Sequence, residues 1–170
     1  MTIEQLFRDP DRRRHMTPME MNPLTESGAL REAQLLEMRV DVLTSTAGLL
    51  FDLRNALQLR TGDTAVLVVL GLREVSWSAE LRMTARTAWN VVKSEPTSAS
   101  GTVIVEFAFV PDARLRLAAN SAEFFVGHVA GLSDVPPDFT SDAEATIHAG
   151  LASWSSPFSP AHAVFLDPTT

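Results

Sequence analysis

Between Thr102 and Ala119 the side chains change character at every second residue. Val103, Val105, Phe107 and Phe109 fall on one side, and Ile104, Glu106, Ala108 and Val110 on the other. A period of two belongs to a pleated strand, whereas a helix would scatter the same residues around its axis. Pro111-Asp112 is a turn signal. Beyond it Leu115, Leu117 and Ala119 alternate with Arg114, Arg116 and Ala118, and Asn120-Ser121 turns again into Phe124-Phe125-Val126. The spacing predicts a meander of three strands joined by short turns.

The same pattern recurs upstream. Leu36, Met38, Val40 and Val42 alternate with Glu37, Arg39 and Asp41, and after the turn at Thr44 to Gly48 Leu49, Phe51 and Leu53 face one way. These two segments read as an antiparallel hairpin. Ala65 to Leu70 is apolar on both faces, as a strand covered above and below would be. Gly71 is placed to bend it before Val75 and Trp77 resume alternation. Trp89, Val91 and Val92 suggest a further strand, and Ser94 to Gly101, with Pro96, reads as a loop.

Helical signals are confined to the two ends. Thr2 with Gln5 has the spacing of a capping box, with Ile3, Leu6 and Phe7 as an apolar side and Asp9-Pro10 as the stop. Ser141 with Glu144 repeats the capping spacing ahead of Ile147, Leu151 and Trp154, which share one helical face. Pro157 and Pro160 end that helix and leave an extended tail. The expected architecture is α+β and mainly β. It consists of an N-terminal arm over residues 1–30 and a single β-rich domain over residues 31–170. A curved antiparallel sheet of six to seven strands carries one C-terminal helix near residues 142–154.

Charge is distributed unevenly along the 170 residues. The net charge is -7, and 15 of the 21 acids and all 14 bases lie at or before Arg116. Past that point Glu123, Asp134, Asp138, Asp142, Glu144 and Asp167 face no lysine or arginine in sequence. The functional reading is an acidic face that steers a basic protein partner; the plainer one is a solvated surface. The acidic balance, with no tyrosine and no basic stripe between aromatics, argues against nucleic acid. No apolar run approaches the roughly 18 residues of a membrane span. The Arg12-Arg13-Arg14 triplet is flanked by Asp9 and Asp11 and broken from any apolar run by Pro18, so no export signal is read and the cytoplasm is expected.

Chemistry-bearing motifs are missing from the sequence. There is no cysteine, no phosphate-cradling glycine loop, no nucleophile elbow and no His-Glu-x-x-His. The expectation is therefore no catalytic residue, no metal and no cofactor. Glu144 and His148 are four apart and share a helical face, where an ordinary surface pair outweighs a metal site with Asp138 or Asp142. The residues assigned to partner binding are Asp134, Asp138, Asp142, Glu144 and Trp154, the last as an aromatic anchor, against the plainer reading that it packs on the sheet. Trp77, Trp89, Phe124 and His128 are the candidates to line a ligand pocket if the sheet curls, against the plainer reading that strand aromatics are core. Asp52 with Arg54, and Arg114 with Arg116, would form a cross-strand ion-pair patch if their faces adjoin, as a polar groove opposite Glu106 or, on the plainer and favoured reading, as a wet outer face of the sheet.

The stretch Val40-Asp41-Val42, Leu50-Phe51-Asp52-Leu53-Arg54, Val66 to Leu72 and Trp77 resembles small β-rich bacterial proteins, among them immunity proteins of polymorphic toxin systems. The likeness spans Leu35 to Val126 and rests on strand pattern, so it transfers no site residue. It implies a non-catalytic protein that binds and blocks a partner. The alternative is a small-molecule-binding or enzymatic curved sheet, with His128 or His148 at the mouth of an aromatic pocket. A third reading makes the N-terminal arm an exchange element between the subunits of a homo-oligomer.

Overall fold

The computed structural model describes residues 1–9, 11–12, 16–80 and 85–168. Nine strands form one antiparallel sheet. In chain order they are β1 (Gln34–Asp41), β2 (Thr46–Asp52), β3 (Thr64–Leu70), β4 (Glu74–Ala79), β5 (Trp89–Ala99), β6 (Thr102–Val110), β7 (Ala113–Ala119), β8 (Ser121–Val129) and β9 (Phe158–Leu166). Across the sheet the order is β4-β7-β6-β5-β1-β2-β3-β8-β9. Helices α1 (Ile3–Arg8) and α2 (Glu144–Ala149) have six residues each. The mainly β, antiparallel expectation holds, with nine strands in place of six or seven and a shorter final helix.

The sheet doubles over on itself. β2 and β6 have two strands between them, so a flat sheet would hold them roughly 14 Å apart at about 4.8 Å per strand. Yet the rings of Phe51 and Phe107 approach to 5.8 Å between centroids. The fold line is the β1–β5 seam, where pairing is limited to Gln34↔Asn90 and Leu35↔Trp89. The concave side is filled by Leu35, Leu49, Phe51, Leu67, Val105, Phe107, Leu117 and Phe124, among others. A second core on the convex side of β2, β3 and β8 packs Leu50, Val66, Val68 and Phe125 under Ile3, Leu6, Phe7 and Trp154. Cover on both sides explains why Ala65 to Val69 is apolar on both faces.

Four local differences from the sequence reading have physical causes. Ser121–Val129 does not complete a meander, because β8 pairs with β3 and β9, and β7 with β6 and β4. Asn120 alone separates β7 from β8, so the chain turns a corner there from one half of the sheet into the other. β5 runs through Pro96, expected in a loop, since β1 accompanies it only at its start and a strand edge without a neighbour tolerates proline. In β1 a bulge between Leu35 and Glu37 breaks the alternation. Leu36 joins the convex core and Met38 the concave one, while Val42, counted with the apolar set, is 80% exposed in the hairpin turn. The extended tail after Pro157 is a member of the sheet, edge strand β9.

At the N-terminus the capping box is present. The Gln5 N–H donates to Thr2 Oγ1 at 3.1 Å and the Thr2 N–H to Gln5 Oε1 at 2.8 Å. At α2 it is not: the N-cap is Ala143, with no side-chain capping bond. The Ser141 N–H instead donates to Asp138 Oδ1 at 3.3 Å, which ties it to the preceding loop. Only Ile147 of α2 is buried, and Trp154 lies beyond the helix.

Candidate functional site

The acidic residues past Arg116 separate into two environments. Glu123 is buried on β8 and paired with Arg12 at 3.2 Å. Arg12 also donates to the carbonyls of Leu6 (3.1 Å) and Phe7 (2.9 Å), satisfying acceptors near the end of α1. One member of the arginine triplet is thus a core residue and not a free cation; Arg13 and Arg14 lie outside the described residues. Asp134, Asp138, Asp142 and Glu144 are all exposed, on the connection from β8 into the start of α2.

That connection is held in shape by two devices. Asp138 Oδ1 accepts from the Thr140 N–H at 2.8 Å and the Thr140 hydroxyl at 2.6 Å, and Asp142 Oδ2 accepts from the Asp138 N–H at 2.8 Å. The Thr140 hydroxyl, then the Thr140 and Ser141 donors, hold the Asp138 carboxyl down to about 2. The second device is Arg54. Its guanidinium donates to the carbonyls of Ser133 (3.0 Å), Val135 (3.4 Å) and Gly150 (2.8 Å), gripping the acidic stretch before and after it. Asp52 fixes that guanidinium in turn, and both side chains are nearly solvent-free. The Asp52–Arg54 pair is therefore an internal clamp, remote in role from Arg114 and Arg116. Arg116 forms its own outer-face cluster, with Glu106 at 3.0 Å across the β6–β7 register and Glu74 at 3.3 Å.

Besides Asp138 and Asp142, two more residues assigned to partner binding are engaged within the chain. Glu144 receives two hydrogen bonds from Arg86, at 3.1 and 3.0 Å. Trp154 is 3% exposed, its ring 5.5 Å from Phe7 and 4.8 Å from the Arg39 guanidinium, so it presents no free aromatic anchor. Its position in a turn after α2, with a glycine (Gly48) beneath it, draws it into the convex core.

The four pocket residues are not brought together. Phe124 is fully buried in the concave core. Trp77 and Trp89 pack edge to face at 5.3 Å, with Phe109 beside Trp77 at 5.6 Å, beside an open hollow reached by Leu36 and Arg86. His128 lies elsewhere, on a groove of about 590 Å³ shared with Asn55, Arg60, Asp63, Ser133 and Asp134. There His128 Nδ1 lies 3.3 Å from Asp63 Oδ2, while Asp63 Oδ1 accepts from the Val129 N–H (3.0 Å) and the Thr64 hydroxyl (2.7 Å). Leu53, Ala56, Leu57 and Leu132 also line this groove, which includes none of Trp77, Trp89 and Phe124. Asp63 was missed from sequence because its partner lies 65 residues away. No group of three or more metal-ligating side chains occurs among the described residues, and Glu144 and His148 stand without a third ligand there. No helix among them is long and apolar enough to cross a membrane.

No family model matches the chain, and no curated protein matches it. Among solved structures, the chain is similar to the crystal structure of an uncharacterized protein from Neisseria gonorrhoeae. That similarity has 9% sequence identity and a TM-score of 0.43, and covers 58% of this chain and 94% of the other.

Proposed function

We propose that this protein is a non-catalytic binding domain that captures a partner with a basic surface through the connection carrying Asp134, Asp138 and Asp142. The observation that carries this reading is the grip of Arg54 on Ser133, Val135 and Gly150. A clamped loop presents its carboxylates in one geometry, so binding loses less conformational entropy than a mobile acidic tail would. Asp138 remains ionised at any physiological pH. Both faces of the sheet's five-strand half are occupied by side chains, which favours recognition on the exterior over capture inside the curl. In the immunity-protein setting that the strand pattern resembles, the partner is a toxin domain with a cationic active surface, which the loop covers.

The test measures binding of an arginine-rich helical peptide, chosen as a basic protein surface in miniature, by titration calorimetry at low and high salt. Asp134→Asn with Asp142→Asn is compared with Glu20→Gln and Glu37→Gln, an equal charge change elsewhere. The reading expects at least a tenfold weaker complex for the first pair, little change for the second, and strong weakening by salt. Equal losses for the two pairs, or no binding by the unmodified chain, would reject it.

A further inference from the structure

The two edges of the sheet are protected very differently. β9 carries Pro160, pairs with β8 through an irregularity between Val126 and Gly127, and is covered by the strand-like residue Thr17. The Thr17 N–H donates to the Ala161 carbonyl at 3.4 Å and the Ala163 N–H to the Thr17 carbonyl at 3.1 Å. Proline, a bulge and a covering segment are the devices that stop an edge from recruiting another strand. Among the described residues β4 has none of them: Glu-Val-Ser-Trp-Ser-Ala contains no proline and no lysine, and its register with β7 is continuous from Glu74↔Ala118 to Ala79↔Ala113. Among the described residues no strand or bridge lies on its outer edge.

Its open hydrogen-bonding groups can be assigned by parity. The Glu80 N–H donates to the Asp112 carbonyl at 3.3 Å on the β7 side. In an antiparallel ladder alternate residues bond to the same neighbour, so Glu74, Ser76 and Ser78 face β7. Val75, Trp77 and Ala79 therefore point their N–H and C=O groups away from it.

We propose that β4 pairs antiparallel with β4 of a second copy of this chain about a two-fold axis at Ser76, extending the sheet across a dimer. In this register Val75 and Trp77 of opposite copies exchange both of their backbone hydrogen bonds, twice over. The pairing places a β-branched residue against an aromatic one, a favourable cross-strand combination. Ser76 meets Ser76, and Glu74 meets Ser78, an acceptor against a donor. Shifting the axis to Trp77 would set Glu74 against Glu80, like charge on like charge, and that selects the first register. Trp77, still 38% exposed in the monomer, becomes covered. Self-complementarity of a six-residue edge is what distinguishes a second copy from an unrelated peptide as the occupant.

The chain has no cysteine, which makes a clean test possible. Opposed residues of a non-hydrogen-bonded pair have Cα atoms about 4.5 Å apart, within disulfide reach. Ser76→Cys is expected to oxidise to a covalent dimer, whereas Ser78→Cys, roughly 14 Å from its counterpart at about 3.4 Å per residue, is not. Sedimentation of the unmodified chain should show a concentration-dependent dimer. Ser76→Lys should raise its dissociation constant at least tenfold while leaving the melting temperature of dilute protein unchanged. A monomer at every accessible concentration, or cross-linking by Ser78→Cys as efficient as by Ser76→Cys, overturns the proposal.

Discussion

Asp52 holds Arg54 through both carboxylate oxygens. Arg54 Nε lies 3.1 and 3.0 Å from Oδ1 and Oδ2, and the Arg54 backbone N–H closes on Oδ1 at 2.9 Å. Two residues apart at the end of β2, they convert a strand terminus into a rigid donor platform for a loop about eighty residues further on. A planar fork can serve Asp52 and three carbonyls at once, and an ammonium cannot.

Arg54→Lys is therefore expected to behave as a loss and not as a conservative change. Arg54→Ala should cost about 3–5 kcal/mol, the range for removing one member of a buried pair, because Asp52 is left charged and dry. Urea unfolding of both variants provides the check. Hydrogen exchange at residues 133–150 should rise in each, and unchanged protection there would show that the clamp does not order the loop.

Arg12 and Glu123 make the matching prediction on the opposite side. Glu123→Ala should destabilise by about 3–5 kcal/mol. Arg12→Met combined with Glu123→Leu should recover only part of that loss, since apolar residues of similar volume replace a desolvated pair but leave the Leu6 and Phe7 carbonyls without the guanidinium. A double-mutant cycle in urea measures the coupling. Additive losses would show that the two side chains are held by other neighbours.

Gly48 lies under Trp154 and Phe7. A Cβ at this position would come within 2.8 Å of the Trp154 ring and 2.9 Å of the Phe7 ring. Gly48→Ala should cost about 1–3 kcal/mol, the range for overpacking a core, and it should displace the indole. A changed Trp154 fluorescence, read with Trp77 and Trp89 replaced by Phe, together with a lower melting temperature, is the expected result.

The Asp138 carboxyl, lowered to about 2 chiefly by the Thr140 hydroxyl, fixes the sign of a pH effect. A depressed folded-state value means that its stabilisation is fully present above the unfolded value of 3.8 and fades as pH falls towards 2. Between pH 4 and 2 the unmodified chain should lose loop order, a change that Asp138→Asn, with an acceptor but no carboxyl to protonate, should not show. Carboxyl carbon shifts of labelled aspartate, followed through that window, report the midpoint. A midpoint near 4 would show that Thr140 and Ser141 do not hold the carboxylate in solution.

The strands legible in sequence were those with one wet face or with cover on both. The β1–β2 and β6–β7 hairpins showed their period, and β3 its unbroken apolar run. β9 was hidden because Pro157 and Pro160 read as breakers, although an edge strand has a side on which a missing N–H costs nothing. The crossover at Asn120 could not be seen either, since a hairpin and a one-residue corner leave the same turn signal. At the candidate site, the exposed acids were visible as a run without bases. The clamp that orders them depends on Arg54 meeting Ser133, 79 residues later, and alternation carries no information about such distant partners. The burial of Trp154 is the plainer of its two sequence readings, but the seat that receives it, made by the absence of a side chain at Gly48, leaves no pattern.

The first residues of the chain are fastened to nearly the last. The Glu4 N–H donates to the Trp154 carbonyl at 2.8 Å, the Ile3 N–H to the Ser156 carbonyl at 3.2 Å, and the Phe158 N–H to the Met1 carbonyl at 2.8 Å. During synthesis, then, the first turn lacks these backbone partners until residues 154–158 have left the ribosome. A polypeptide stalled before that point carries Leu50, Val66 and Phe125 without the cover of Trp154 and Phe158, an exposed apolar surface of the kind that chaperones and proteases bind.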